Sequence, residues 1–167
     1  MTNNITPLPV QVIGHVVSDR TEVSDDYWGT AASIIRLRPE LGPETLVGLE
    51  EFSHLQVVWQ FHLASPSDVH LGTRSPRGDS RWPPSGTFAH RNHRRPAQIA
   101  VSTPRLVKIT GTDLHVLDLD AVDGTPVLDI APWFEEFGPQ GDRHQPSWPG
   151  EMLAQYWVAA GTKARDA

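Results

Sequence analysis

Two stretches of this chain concentrate side chains that can do chemistry. The first, FAHRNHRR at 88–95, places three arginines and two histidines within eight residues. It lies in a longer window, Ser80 to Thr112, that holds Arg81, Arg91, Arg94, Arg95, Arg105 and Lys108 but no Asp or Glu. Guanidinium groups gathered without carboxylates suit a phosphate or carboxylate ligand, because the planar fork binds either oxyanion bidentately. A solvated run of charge is the plainer alternative. The second stretch, DAVDGTPVLDIAPW at 120–133, runs from a turn signal into an apolar strand and sets Asp129 inside that strand. Asp is depleted in strands and costly to bury unpaired. Asp129 therefore either faces water or is held for a purpose.

Imidazole titrates near neutrality, so His90 or His93 could take a proton from a nitrogen acceptor. His90 and His93 lie three apart and His54 and His62 eight apart. With Asp123 or Asp129 they could ligate a metal without cysteine. The flanking arginines disfavour another cation, so structural or solvated histidines are the better reading and no metal is expected. The chain has no Cys, which removes disulfides, thiolate catalysis and cysteine-based zinc sites. It has no G-x-S-x-G elbow, no G-x-G-x-x-G and no Walker loop. Ser53 and His54 are adjacent, but chain neighbours rarely face each other productively. Neither a Ser–His hydrolase nor a Rossmann-type cofactor site is expected.

The elements that must position these residues are read from patterning. In LQVVWQFHL at 55–63, Leu55, Val57, Trp59, Phe61 and Leu63 alternate with Gln56, Val58, Gln60 and His62. That is the period of a strand with one apolar face. The other face, with Gln56, Gln60 and His62, meets solvent or a site. Further strands are expected at 10–18, 30–39, within 96–110 and at 113–120. Gly14 inside the first signals a bulge or a close approach of another backbone. Residues 40–54 carry a short helical pattern. Residues 64–87 are rich in breakers, and a loop of that length is usually functional or mobile. Asp123-Gly124 predicts a hairpin between 114–119 and 126–130. Pro149 suits a first helical position. Met152, Tyr156 and Ala159 share one face of a helix expected at 148–160, which packs on the domain or serves as a lid or dimer contact.

At 167 residues the chain can bury a real core. The organisation expected is a flexible N-terminus at 1–9, a β-rich domain at 10–145 and a helical tail at 146–167. Six Trp, fifteen Pro and thirteen Gly suggest a loop-rich fold with aromatic anchors. About six mostly antiparallel strands with little helix predict an all-β fold, a small β-barrel or strongly curved sheet with short flanking helices. The net charge of −6 argues against a generally basic nucleic-acid binder. No apolar run reaches the ~20 residues of a membrane span, and the N-terminus lacks a signal-peptide pattern. A soluble cytoplasmic protein is expected.

Three stretches in fixed order carry a family resemblance: LEEFSHLQVVWQFH at 49–62, Phe-Ala-x-Arg at 88–91, and DAVDGTPVLDIAPW. Together they resemble the TrmO-like (TsaA-like) family of S-adenosyl-L-methionine-dependent methyltransferases, from near VIGHVVS to about Trp133. The resemblance implies a small β-barrel working as a homodimer, with the cofactor near the subunit interface. It implies methylation of the N-6 nitrogen of threonylcarbamoyl-adenosine beside the anticodon of certain tRNAs. Arg91 and Arg95 match the arginines of the family loop ATRSPxRPNPIG, and Asp123, Gly124 and Asp129 match its DGTPxLDIKPY. The cofactor-binding set implied is Phe61, His62, Phe88, Ala89, Arg91, Arg95, Asp123, Leu128, Asp129 and Pro132.

The chain also departs from the family. Thr-Arg-Ser-Pro is replaced by His90-Arg91-Asn92-His93, and Arg-Pro-Asn-Pro-Ile-Gly by Arg95-Pro96-Ala97-Gln98-Ile99-Ala100. The Lys before the family's Pro-Tyr is Ala131, and the Tyr is Trp133. TRSPR at 73–77 mimics the loop but lies about fifteen residues too early and lacks the following Ile and Ser that Ile99 and Ser102 supply. The barrel and cofactor elements read as retained and the acceptor-side loop as diverged.

Methyl transfer from a sulfonium is an in-line displacement that rests mainly on positioning. The catalytic candidates are Arg91, His90 and Asp129. Asp129 is expected to accept hydrogen bonds from a loop backbone or from Arg91, and so to fix the loop over the cofactor. The alternative is a structural Asp beside the turn, as for Asp123. His62 either touches the cofactor or is a core-edge histidine. The acceptor is tRNA, held through the basic island with steep salt dependence, or a small amine or amino-acid-like molecule. A non-catalytic S-adenosyl-L-methionine-binding module is the third possibility.

Overall fold

The computed structural model describes residues 9–161. The flexible segment expected at 1–9 lies, except for Pro9, outside the described residues, as does the end of the expected tail from 162. The described residues form nine strands: β1 Gly14–Val17, β2 Ala32–Leu37, β3 Leu55–Gln60, β4 Thr73–Arg74, β5 Ser85–Gly86, β6 Ile99–Ser102, β7 Arg105–Thr110, β8 Asp113–Leu117 and β9 Pro126–Pro132. One short α-helix, α1, spans Trp148–Met152. Seven strands make one sheet in the order β6-β3-β9-β1-β2-β8-β7, while β4 and β5 pair only with each other. All these pairings are antiparallel.

The alternation along β3 acts as its pattern requires. Leu55, Val57 and Trp59 are buried while Gln56 and Gln60 are exposed. The buried three join Val16, Ile35, Leu37, Leu114, Val116, Leu119 and Val127 in one apolar core. The strand stops at Gln60 rather than Leu63. Phe61 turns its amide to the Gln98 carbonyl at 2.9 Å, and Leu63 is exposed. The first strand is likewise shorter than the expected 10–18, because Val10 and Val12 face solvent. Within it, Gly14 answers to a close approach of backbone: a Cβ there would stand 2.4 Å from the Arg36 carbonyl oxygen on β2.

The sheet curls strongly. β6 and β7 are its two edges, yet only Thr103 and Pro104 separate them in the chain. The edges meet at one corner, where His54 bridges Arg105 and the Leu55 amide donates to the Pro104 carbonyl at 3.0 Å. No ladder runs between the edge strands among the described residues. The expected barrel therefore takes the form of a curled, open sheet, because a two-residue link joins the edges at a corner without zipping them.

Asp123-Gly124 does form a turn, with the Thr125 amide donating to Val122 at 3.3 Å and Gly124 at φ +75°. It does not form the expected hairpin. β8 pairs with β2 and β7, whereas β9 pairs with β1 and β3. Leu119, Ala121 and Val122 are buried, and their burial carries the chain across the interior between two separated strands. The hairpin lies one element earlier, between β7 and β8, at Gly111 with φ +62°.

The helical pattern at 40–54 becomes three 3-10 turns, Pro39–Leu41, Pro43–Leu46 and Leu49–Glu51, kept short by the prolines and glycines between them. The tail is helical only over α1, not to residue 160. Beyond α1 its carbonyls serve other partners: Gln155 and Tyr156 accept from the amides of Tyr27 and Trp28 at 3.1 and 2.7 Å. A continued helix would have used those carbonyls internally. No helix among the described residues is long and apolar enough to cross a membrane.

Candidate functional site

β3 delivers Phe61 and His62 to one end of the sheet. Phe61 stands edge-on to Trp59, with ring centroids 4.6 Å apart, and 6.1 Å from the ring of His93. His62 Nδ1 lies 3.3 Å from Thr125 Oγ1, and its Nε2 faces Gly124. Asp123 completes that turn: its carboxylate accepts the Ser18 amide at 3.0 Å, and its own amide donates to the Arg20 carbonyl at 2.7 Å. The end of β3, the turn at 122–125 and the arginine-bearing loop thus meet.

In that loop Phe88, Ala89 and Arg91 are exposed, and Phe88 keeps 80% of its surface. His90 is buried, with Nε2 3.1 Å from Ser85 Oγ and its ring 6.0 Å from that of Trp148. Arg91 donates to the Val101 carbonyl on β6 at 2.7 Å. Half-buried Arg95 donates to the carbonyls of Ile99 and Asn92. Its burial, and then the nearby charge of Arg91, hold its pKa below the ordinary arginine value. Among the described residues no carboxylate pairs with Arg91, Arg94 or Arg95. Their charge is available to a ligand.

Asp129 faces water. It stands opposite Val58 on the outer face of the sheet, and its Oδ1 accepts the amide of Ile130 at 3.0 Å. The register between β3 and β9 passes from Val58–Asp129 to Trp59–Val127, so Leu128 is a bulge. Bulges re-aim side chains and recur beside active sites. The expected Arg91–Asp129 contact is not made. β3 lies between their anchor strands, and two ladder spacings amount to about 10 Å. Pro132 pairs with Leu55 at the other end of β3 from Phe61, about 20 Å of strand away. The fold therefore gathers Phe61, His62 and the Asp123 turn beside Arg91 and Arg95, sets Asp129 and Leu128 further along β9, and leaves Pro132 remote.

Residues 24–138 match the family described as the tRNA-methyltransferase O N-terminal domain. The chain belongs to the TrmO family. It is 34% identical over 104 residues to the human tRNA (adenine(37)-N6)-methyltransferase, covering 62% of this chain and 23% of that protein. It is 31% identical over 134 residues to a probable S-adenosyl-L-methionine-binding protein of Methanothermobacter thermautotrophicus, covering 80% of this chain and 93% of that one. A crystal structure of TrmO from Pseudomonas aeruginosa superposes with a TM-score of 0.69 at 27% identity, covering 86% of this chain and 62% of that chain. The chain spans less than a quarter of the human relative's length.

Two features of this TrmO-family chain escape a reading of its motifs. The first is a linked set of hydrogen bonds. Trp59 Nε1 donates to Ser102 Oγ at 2.9 Å, Ser102 donates to Asp120, and Tyr156 Oη donates to the other Asp120 oxygen at 2.5 Å. It joins β3, β6, the segment before the Asp123 turn and the tail. Burial above all, and the charge of Asp120, push the Tyr156 phenol above its ordinary pKa. The second is the TRSPR stretch, set aside as a mimic of the loop. The β4–β5 ladder, which pairs Thr73 with Gly86 and Arg74 with Ser85, lays it against the true loop, where Arg74 donates to Asn92 Oδ1 at 2.9 Å. Partners so distant in sequence leave no spacing signal.

Proposed function

We propose that this chain is an S-adenosyl-L-methionine-dependent N-methyltransferase, that it acts as a cytoplasmic homodimer, and that its acceptor is the N-6 nitrogen of threonylcarbamoyl-adenosine in tRNA. The observation that carries the reading is the meeting of Phe61 and His62, the Asp123 turn and two arginines of the 88–95 loop, Arg91 and Arg95, that have no carboxylate partner among the described residues, in a chain of the TrmO family. That setting fits the cofactor: an aromatic face suits a sulfonium, and free guanidinium groups suit a carboxylate. Bound there, the cofactor would supply an electrophilic methyl group on a good leaving group.

Phe61 offers its face to the cationic centre, and Arg91 and Arg95 hold the carboxylate. His62 and Asp123 shape the wall beside them. Phe88 and Ala89, exposed at the loop tip, cover the ligand. Asp129 and Leu128 act from the bulge on β9, with Asp129 free to accept from an ammonium or a hydroxyl. The rate gain comes from holding the acceptor nitrogen in line with the transferring methyl. Any base is better sought in His93, beside Phe61, than in His90, whose burial between Ser85 and Trp148 suits it to holding the loop.

The test is calorimetric titration of S-adenosyl-L-methionine and of its demethylated product, followed by transfer of labelled methyl to tRNA or to small amines. Micromolar cofactor binding with label in tRNA is expected. Absence of binding in a folded protein overturns the methyltransferase reading. Label entering only small amines keeps the enzyme and overturns the tRNA acceptor.

A further inference from the structure

Arg74 is the unusual residue of the basic region. It comes from the long segment before the family loop, and the β4–β5 ladder holds its backbone in place. Its Nη2 is occupied by Asn92. Its Nη1 is cut off from solvent and is the one buried side-chain nitrogen or oxygen without a partner among the described residues. Burial above all, and then the charge of Arg94, hold the Arg74 pKa below the ordinary arginine value. Neither arginine is in an ion pair among the described residues. Asn92 also accepts the backbone amide of Arg94 through the same Oδ1 at 3.1 Å, so a single side chain ties the Arg74 guanidinium to the Arg94 backbone. The His70 amide holds the Arg94 carbonyl at 3.0 Å and fixes the two loops against each other.

An arginine guanidinium stays charged at any ordinary pH. Two like charges brought together, one with a desolvated and unmatched N–H, raise the free energy of the empty fold. A purely structural link to Asn92 needs neither the second arginine nor the orphan donor. Both become favourable at once when an oxyanion displaces the side chains that seal the unmatched N–H and lies between the charges. We infer that Arg74, Asn92 and Arg94 form a phosphate-binding subsite, separate from the cofactor residues, that takes a phosphate group of the acceptor. This deepens the acceptor half of the proposed function and does not depend on the cofactor half.

The probe is inorganic phosphate, titrated into the full chain in a phosphate- and sulfate-free buffer and read by calorimetry and by the shift in melting temperature. Phosphate should bind and stabilise the wild type, because a ligand specific to the folded state raises its stability. Arg74→Gln should weaken that binding about tenfold or more, as expected for the loss of a charged hydrogen-bond donor. Its affinity for S-adenosyl-L-methionine should stay that of the wild type. If Arg74→Gln fails to fold, exposed Arg94→Gln replaces it, with the same loss expected. Two competitors then identify the source of the phosphate. Displacement by a short single-stranded RNA, with a salt slope lowered by about 1 in the variant, assigns it to a nucleic-acid backbone. Displacement by adenosine monophosphate but not by RNA assigns it to a small phosphorylated acceptor. The subsite is overturned if phosphate fails to bind the wild type, or binds wild type and variant alike. It is also overturned if the variant loses phosphate and S-adenosyl-L-methionine together, which would give Arg74 to the cofactor.

Discussion

Asp129 shows how little the neighbours of a carboxylate say about which way it faces. Its flanking residues are apolar, yet it points outward, and among the described residues its one hydrogen-bond partner is the amide of the next residue. Removing it should leave the fold nearly untouched, since surface substitutions usually stay within about 0.5 kcal/mol. The proposed role predicts a different loss. Asp129→Ala should keep the wild-type melting curve while weakening S-adenosyl-L-methionine about tenfold or more, the scale of one charge-assisted hydrogen bond. Titration calorimetry beside thermal denaturation checks this, and unchanged affinity removes Asp129 from the site. The parity of the strand explains why the sequence leaves both directions open. The bulge at Leu128 shifts the register, and nothing in the local sequence announces the shift.

At the scale of elements, the tail is tied to the sheet through Tyr156 and Asp120. The Tyr156 phenol has its pKa raised in the folded state, so the folded chain holds that proton more tightly than the unfolded chain. The stability this contributes is full below the ordinary phenol value of about 10 and is lost as pH climbs above it. Urea unfolding between pH 8.5 and 11 should show a decline that Tyr156→Phe lacks. At neutral pH the same substitution should lower stability by about 1–3 kcal/mol, because Asp120 loses a buried donor. The seven strands of the main sheet were legible in outline, as in the strict alternation of β3, while the two-residue β4 and β5 lay hidden in the segment 64–87 read as a loop. The pairing of the strands was not legible. Asp123-Gly124 has the chemistry of a hairpin turn, but the burial of Leu119, Ala121 and Val122 decides which strands it connects. The end of β3 and the Phe-Ala-x-Arg loop stand out as a candidate site from their motifs, while Arg74 and Tyr156 are brought near them only through the fold.

For the whole molecule, the curled sheet has a consequence for how the chain behaves in a crowded solution. A sheet that does not close has two exposed rims, and a bare rim is a template onto which another copy can add a strand. Here each rim is blunted. β6 is only four residues long, and Arg91 caps its Val101 carbonyl. β7 is longer, but its register skips Val107 between Leu106 and Lys108, and the exposed Lys108 puts a charge beside that kink. A bulge and a lysine are both recognised guards against edge-to-edge growth. Lys108→Ile should therefore leave the melting temperature almost unchanged and raise light scattering during refolding in proportion to protein concentration. Equal scattering from both chains would show that the rim is guarded by something else. On this reading Arg91 serves two ends: the same guanidinium proposed to hold a ligand's carboxylate keeps a strand of the sheet from recruiting its neighbours.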